Sequence, residues 1–172
     1  MSGPQVSLRP ARESDGEILH AWASDPDARA ASFHPEAIPW DTHVAWFRRS
    51  LSDPGCTILI IETARGTPVG TVRFHRRDEE SAVVSLTIGK QHRGQGYGTA
   101  ALRAAAALAG PDIRTLVAII RVENVRSART FRNAGYLPAG RTTVNGHEAV
   151  VMRHERPGPA AVVPRPPRGT GA

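Results

Sequence analysis

The sequence predicts an α+β domain with a mixed, mostly antiparallel central sheet flanked by about four helices. Three observations carry this expectation. Strand-like runs dominate the first half, and the second half reads strand, glycine-rich turn, helix, strand, helix, strand, strand. The turn, Gln91 to Thr99, places glycines at 94, 96 and 98 between an apolar run (Ala82 to Ile88) and an alanine-rich segment of high helix propensity (Thr99 to Ala109). Near the end, Asn145-Gly146 joins two strand-like runs and is a strong hairpin signal.

In chain order, Val6 to Pro10 reads as a strand that Pro10 ends. Ser14 or Asp15 is placed to cap a helix through about Ser24, with Ile18, Leu19 and Trp22 on one face. Pro26, Pro35 and Pro39 make Asp25 to Trp40 mostly loop or short helical turns. Asp41 is placed to cap a helix in which Val44, Phe47 and Leu51 recur at helical spacing, stopped by Asp53-Pro54-Gly55. Cys56 to Thr63 is a buried strand, and Arg65-Gly66-Thr67-Pro68 turns the chain into a strand from Val69 to Arg76. Asp78-Glu79-Glu80 is the turn before the apolar run. Gly110-Pro111 stops the alanine-rich helix, Ile113 to Val122 is a β-branched strand, and Asn124 to Asn133 a helix closed by Ala134-Gly135. Tyr136 to Thr143 and His147 to Arg153 form the hairpin. Residues 1–156 thus read as one domain. Residues 157–172 are rich in Pro, Gly and Arg without periodicity and are expected to be a disordered tail.

Composition narrows the function. A chain of 172 residues with 40% hydrophobic content can bury a single core. No apolar run reaches membrane-spanning length, and Met-Ser-Gly-Pro-Gln lacks the apolar core of a signal peptide, so a cytoplasmic location without membrane contact is expected. One cysteine, Cys56, excludes an internal disulfide and a cysteine-based zinc cluster, and no metal site is expected. The formal charge is +6, but the arginines are scattered and aromatic content is 5%, which argues against a nucleic-acid surface. An anionic small molecule needs only a few of these charges. Monomer and homodimer both remain open.

The glycine-rich turn carries the chemistry. Without Cβ atoms its N–H groups can converge on an anion, and the helix start adds unpaired N–H groups and a positive dipole end. A dinucleotide fingerprint fails because Thr99 stands where the third glycine belongs. A phosphate-binding loop ending in Gly-Lys-Ser/Thr is absent. A methyltransferase glycine loop belongs nearer the start of an alternating chain. What remains is Arg-x-x-Gly-x-Gly, met by Arg93, Gly96 and Gly98. It resembles the acetyl-CoA pyrophosphate loop of the GNAT acetyltransferase superfamily. Downstream, Asn124-x-x-Ser127-x-x-x-Phe131-x-x-x-Gly135-Tyr136 resembles the second GNAT signature, and the element order is similar to the GNAT fold.

The resemblance implies an N-acetyltransferase that moves an acetyl group from acetyl-CoA to a primary amine. It implies donor contacts from Leu86, Thr87, Ile88, Arg93, Gly94, Gln95, Gly96, Tyr97, Gly98, Thr99, Asn124, Ser127 and Phe131. An N–H of Leu86 or Thr87 would stabilise the oxyanion. Glu123 is the leading general base, Ser85 orients a water or the substrate, and His34, His43 and His75 are alternatives. Many GNAT enzymes place a tyrosine acid where this chain has Phe131, which has no proton to donate. The acceptor site would draw on Arg29, Ser32, His43 and Arg73. Asp-Pro-x-x-Arg-x-x-Ser-Phe followed by His-x-x-Trp-Phe resembles enzymes that acetylate 4-amino nucleotide sugars, and in part the ribosomal-protein N-terminal acetyltransferases. An amino sugar nucleotide or similar small molecule is the expected acceptor. A peptide N-terminus, or acyl-CoA binding without catalysis, are the alternatives.

Overall fold

A computed structural model describes residues 3–157; residues 158–172, where nearly all of the expected tail falls, lie outside the described part. Strands β1 (Val6–Pro10), β2 (Cys56–Thr63), β3 (Pro68–Arg76), β4 (Ser81–Ile88), β5 (Thr115–Arg121), β6 (Leu137–Val144) and β7 (His147–Glu155) form one sheet in the order β1-β2-β3-β4-β5-β7-β6. Only β4 and β5 pair in parallel; every other neighbouring pair is antiparallel. The helices are α1 (Gly16–Ser24), α2 (Pro26–Ala31), α3 (Trp40–Ser52), α4 (Tyr97–Ala106) and α5 (Val125–Asn133). The expected mixed sheet is present, with α2 as the additional short helix in the proline-containing segment.

Helix starts differ in detail from the sequence expectations. Asp15 does not cap α1 with its side chain; it accepts from Arg12 N–H at 2.7 Å and pairs with Arg9 at 2.8 Å, while Arg9 also reaches Glu62. Helix α3 begins one residue before Asp41, with Pro39 at the cap position and no side-chain cap hydrogen bond. The alanine-rich helix starts earlier and ends sooner, at Tyr97 and Ala106.

Two cores cover the two sheet faces. Even-numbered Val72, Phe74, Ala82 and Val84 pack with Leu102 and Phe131 of α4 and α5. On the other face Ile58 and Ile60 pack with Leu19 and Trp22 of α1 and Phe47 of α3. Alternation along each strand makes this division. Within the larger core, Tyr136 is 1% exposed, stands edge-on to Phe131 at 5.0 Å, and its hydroxyl finds no hydrogen-bond partner among the described residues. Burial also drives its pKa upward. An unpaired buried hydroxyl costs free energy that a phenylalanine avoids. Tyr136→Phe is therefore expected to raise stability, by up to about 1 kcal/mol, read as a higher urea midpoint at unchanged slope. A lower midpoint would show that the hydroxyl holds a partner, such as an ordered water.

Candidate active site

The parallel ladder between β4 and β5 is short. It registers Ser81, Ala82 and Val83 with Thr115, Leu116 and Val117, and then stops. Beyond it the two strands remain tied only to their outer neighbours, so an opening forms between them. Hydrogen bonds at the strand ends show which groups face it. Gly89 N–H donates to Val69 O at 2.9 Å and Arg77 N–H to Ser81 O at 2.9 Å. Antiparallel pairing alternates, so Val83, Ser85 and Thr87 direct their N–H and C=O groups at β3. Leu86 and Ile88 direct theirs into the opening. On the far wall Val122 N–H donates to Glu148 O at 3.1 Å, so Ile119 and Arg121 face β4. Leu86 and Thr87 were equal candidates for an oxyanion donor in the sequence. The register leaves Leu86 N–H available and turns Thr87 N–H to Thr71.

At the end of β4 the chain makes a short 3-10 turn, Lys90–His92, and reaches the glycines. Gly94 (φ 73°) and Gly96 (φ 84°) are left-handed, a conformation glycine adopts without a Cβ penalty. Hydrogen bonding in α4 begins with Ala100 N–H to Gly96 O at 3.1 Å, so the N–H groups of Tyr97, Gly98 and Thr99 have no acceptor in the helix. Gly98 is buried, and a Cβ there would stand 3.0 Å from both Leu86 Cδ2 and Thr130 Cγ2. The helix start is therefore pressed against the wall of the opening. Gln95 and Gly96 are exposed, and the Gln95 side chain donates to Gln91 O at 2.9 Å.

Arg93 is held rather than free. Its Nε donates to Ile88 O at 3.0 Å, and its guanidinium pairs with Asp25 at 2.8 Å and Asp27 at 3.4 Å. Arg93 is the leading cause that holds the Asp25 carboxyl below its usual range. The bond joins the glycine loop to the start of α2, where Asp25 also caps Ala28 N–H. Trp22 braces the same corner: a Cβ on Gly89 would meet its Nε1 at 2.6 Å.

On the β5 side Asn124 caps α5, accepting from Ser127 N–H at 3.2 Å, and Ser127 lies partly buried one turn in. Phe131 is a core residue, 2% exposed. Glu123 is exposed and pairs with Arg121 at 3.4 Å; its own backbone N–H foremost, and Arg121 less, hold its carboxyl below the usual range. Ser85 stands across from Arg73 in register, its hydroxyl 3.5 Å from the guanidinium.

The expected acceptor residues divide. His43 is 3% exposed, its ring 2.9 Å from Gly16 O, and desolvation lowers its pKa. Arg29 is tied to Ala23 O at 2.6 Å and His34 O at 2.8 Å. Ser32 Oγ accepts from His34 N–H. His34 is exposed beside Asn145, and His75 is exposed on β3. Arg73 lies over the Trp46 ring at 5.3 Å. Sequence reasoning missed Arg121, which bonds Ala30 O at 2.9 Å and Ser32 O at 3.0 Å and so fastens the end of α2 to the end of β5. A strand-end arginine carries no local sign of such a contact.

An opening between parallel strands, beside a glycine loop at a helix start, suits an extended ligand with a diphosphate. Residues 5–137 match the family model described as an acetyltransferase (GNAT) domain. The chain belongs to the GNAT acetyltransferase family. No curated protein matches it at a significant level. Among solved structures it is similar to spermidine N-acetyltransferase from Vibrio cholerae in complex with CoA and spermine: TM-score 0.78, 17% identity, 88% of this chain and 95% of that one covered. It is also similar to AAC(6')-Ib in complex with ribostamycin and coenzyme A: TM-score 0.77, 21% identity, 88% and 94% covered. These likenesses are of fold, and neither structure is of the nucleotide-sugar or ribosomal-protein type. Acetyl-CoA, the family's acyl donor, fits the residues present: left-handed glycines, and helix-start N–H groups and a Leu86 backbone without partners among the described residues. No described helix is long and apolar enough to cross a membrane.

Proposed function

We propose that this GNAT protein is an N-acetyltransferase acting on the primary amine of a small molecule, which enters from the face covered by α1 and α3. The observation that supports this most is the opening beyond Val83–Val117, with Leu86 N–H on its wall and the glycine loop at its end. Bound acetyl-CoA supplies an activated thioester. Tyr97, Gly98 and Thr99 N–H groups cradle its diphosphate, as helix starts do for phosphates generally. Leu86 and Ile119 backbone groups hold its extended arm as an added strand would be held. Leu86 N–H donates a hydrogen bond to negative charge developing on the acyl oxygen. Ser85, one residue before, orients the amine or its water.

Proton handling is light. Glu123 stays ionised at working pH and takes a proton through water, but a carboxylate with a lowered pKa is a weak base. Phe131 donates nothing, so the thiolate leaves without a side-chain acid. The amine must then arrive deprotonated, because an ammonium has no lone pair. The small-molecule reading draws on Arg29, Arg121 and Asn145, which bind carbonyls of residues 23–34 and narrow the approach that a peptide would need. The neighbouring folds act on spermidine and aminoglycosides, also small amines. Amino sugar nucleotides fall within the same class of acceptor.

Thiol release across a panel of amines tests this. The expected kcat/KM rises with pH toward the acceptor's own pKa, and Glu123→Gln lowers it less than about tenfold, below the usual contribution of a positioned base. No turnover with any amine, while calorimetry shows CoA bound, would mark a binding domain instead.

A further inference from the structure

The part-buried arginines of this domain mostly have evident partners. Arg9 holds Asp15 and Glu62, Arg93 holds Asp25, Arg29 holds two carbonyls and Arg121 two more. Arg73 differs. It forms no ion pair among the described residues, and its one side-chain hydrogen bond there is the 3.5 Å approach to the Ser85 hydroxyl, at the limit of such a bond. Residues outside the described part contain no aspartate or glutamate. A guanidinium has five N–H donors, and leaving them without an anion in a partly desolvated place is unfavourable. Burial accordingly pulls the Arg73 pKa down, with only Cys56 opposing it.

Its position gives this cation a use. Arg73 shares the α1–α3 face with Thr71, Ser85 and Thr87, a polar strip in an otherwise apolar layer. The Trp46 ring lies 5.3 Å from the guanidinium carbon, within cation–π reach, and helps hold it in place. Ser85 is its cross-strand partner and directly precedes Leu86, so covalent geometry puts the guanidinium within about 8 Å of Leu86 N. Of the nearby carboxylates, Asp25 and Asp27 are paired with Arg93 and Glu123 with Arg121, while Glu36 beside Arg29 forms no ion pair among the described residues.

We propose that Arg73 is the anchor for an anionic group on the acceptor, making the substrate a small amine that carries a carboxylate or phosphate within a few bonds of its nitrogen. This rests on the acetyltransfer reading above. Arg73 binds the anion with paired N–H donors, Trp46 holds the guanidinium in place, and the amine is thereby directed to the wall that bears Leu86 N–H.

The test is thiol release by the full chain with four classes of acceptor. These are amino acids, each paired with its amide; amino sugar phosphates; polyamines; and aminoglycosides. With kcat/KM reckoned on the free-base amine, because an amide's amine is less basic than its acid's, the wild-type protein is expected to prefer an acid over its own amide by about 100-fold, the size of one charge-assisted pair. Preference among the acids then separates carboxylate from phosphate. In Arg73→Gln the acid-to-amide ratio is expected to collapse toward one, carried mainly by KM, and Arg73→Lys to restore part of it. The ratio cancels any general loss of folded protein, and the wild-type comparison needs no variant. Preference for polyamines or aminoglycosides, or an acid no better than its amide, overturns the assignment of Arg73 while leaving acetyltransfer intact. Turnover of no amine, with CoA still bound, overturns both.

Discussion

Gly96→Val is expected to weaken acetyl-CoA binding at least 100-fold while leaving far-ultraviolet circular dichroism unchanged. Gly96 caps α4 at φ 84°, where a β-branched residue is a genuine outlier. A Cβ there would also stand 3.0 Å from Pro4 Cδ, so the new side chain has no room on that side. The loop can relieve both problems only by changing φ at 96. That change swings the N–H groups of Tyr97, Gly98 and Thr99 away from their common focus. An anion seat depends on such convergence, so its loss costs most of the diphosphate contribution. Gly66→Ala is the control: it is left-handed too (φ 78°), but a Cβ there meets nothing within 4 Å, and it lies in the β2–β3 turn. It should cost about 1 kcal/mol of stability and leave binding alone. Calorimetric titration with acetyl-CoA reads the difference, and equal affinity for Gly96→Val and wild type would remove the loop from the donor site.

The contrast between these two glycines shows what the sequence could convey. The loop was legible because its information is local: alternating glycines, a preceding apolar run and a following alanine-rich stretch all lie within a few residues. The same holds for the Asn145-Gly146 hairpin, where Asn145 indeed takes φ 48°. The sheet order could be anticipated only as a class, since pairing β5 with β7 and leaving β6 outside depends on contacts across the chain. Arg93 illustrates the limit. Its motif suggested a charge for the diphosphate, yet its partner Asp25 is remote in sequence and nothing local announces the pair. Arg29 and His43 looked like ligands for a small polar molecule because they are polar among aromatics. In the fold both reach backbone carbonyls, a role that leaves no compositional trace. Which strand N–H groups face the opening required the register, and a shift of one residue would exchange Leu86 for Thr87.

Gly70 shows how a residue with no motif can govern the site, and its replacement carries the largest expected cost to the fold. A Cβ on Gly70 would stand 2.3 Å from the Thr87 carbonyl oxygen, 2.9 Å from Ile88 Cδ1 and 3.1 Å from Ile88 Cα. The first of these is backbone, so no rotamer change relieves it. Gly70→Ala must therefore push β3 from β4 at the Gly70–Ile88 pair, the last step before the glycine turn. Overpacking of this kind costs about 1–3 kcal/mol or more, and in a domain of this size about 3 kcal/mol lowers the melting temperature by roughly 6–12 °C. The displacement also carries Leu86 and Ile88, whose backbone lines the opening, so acetyl-CoA affinity should fall with stability. Gly16→Ala makes the comparison: its Cβ would sit 3.4 Å from Phe47 in right-handed helix, an ordinary contact, and alanine there should be neutral or slightly stabilising. If Gly70→Ala melts with the wild type, β3 and β4 are farther apart than this register allows. The wall of the opening would then have to be redrawn.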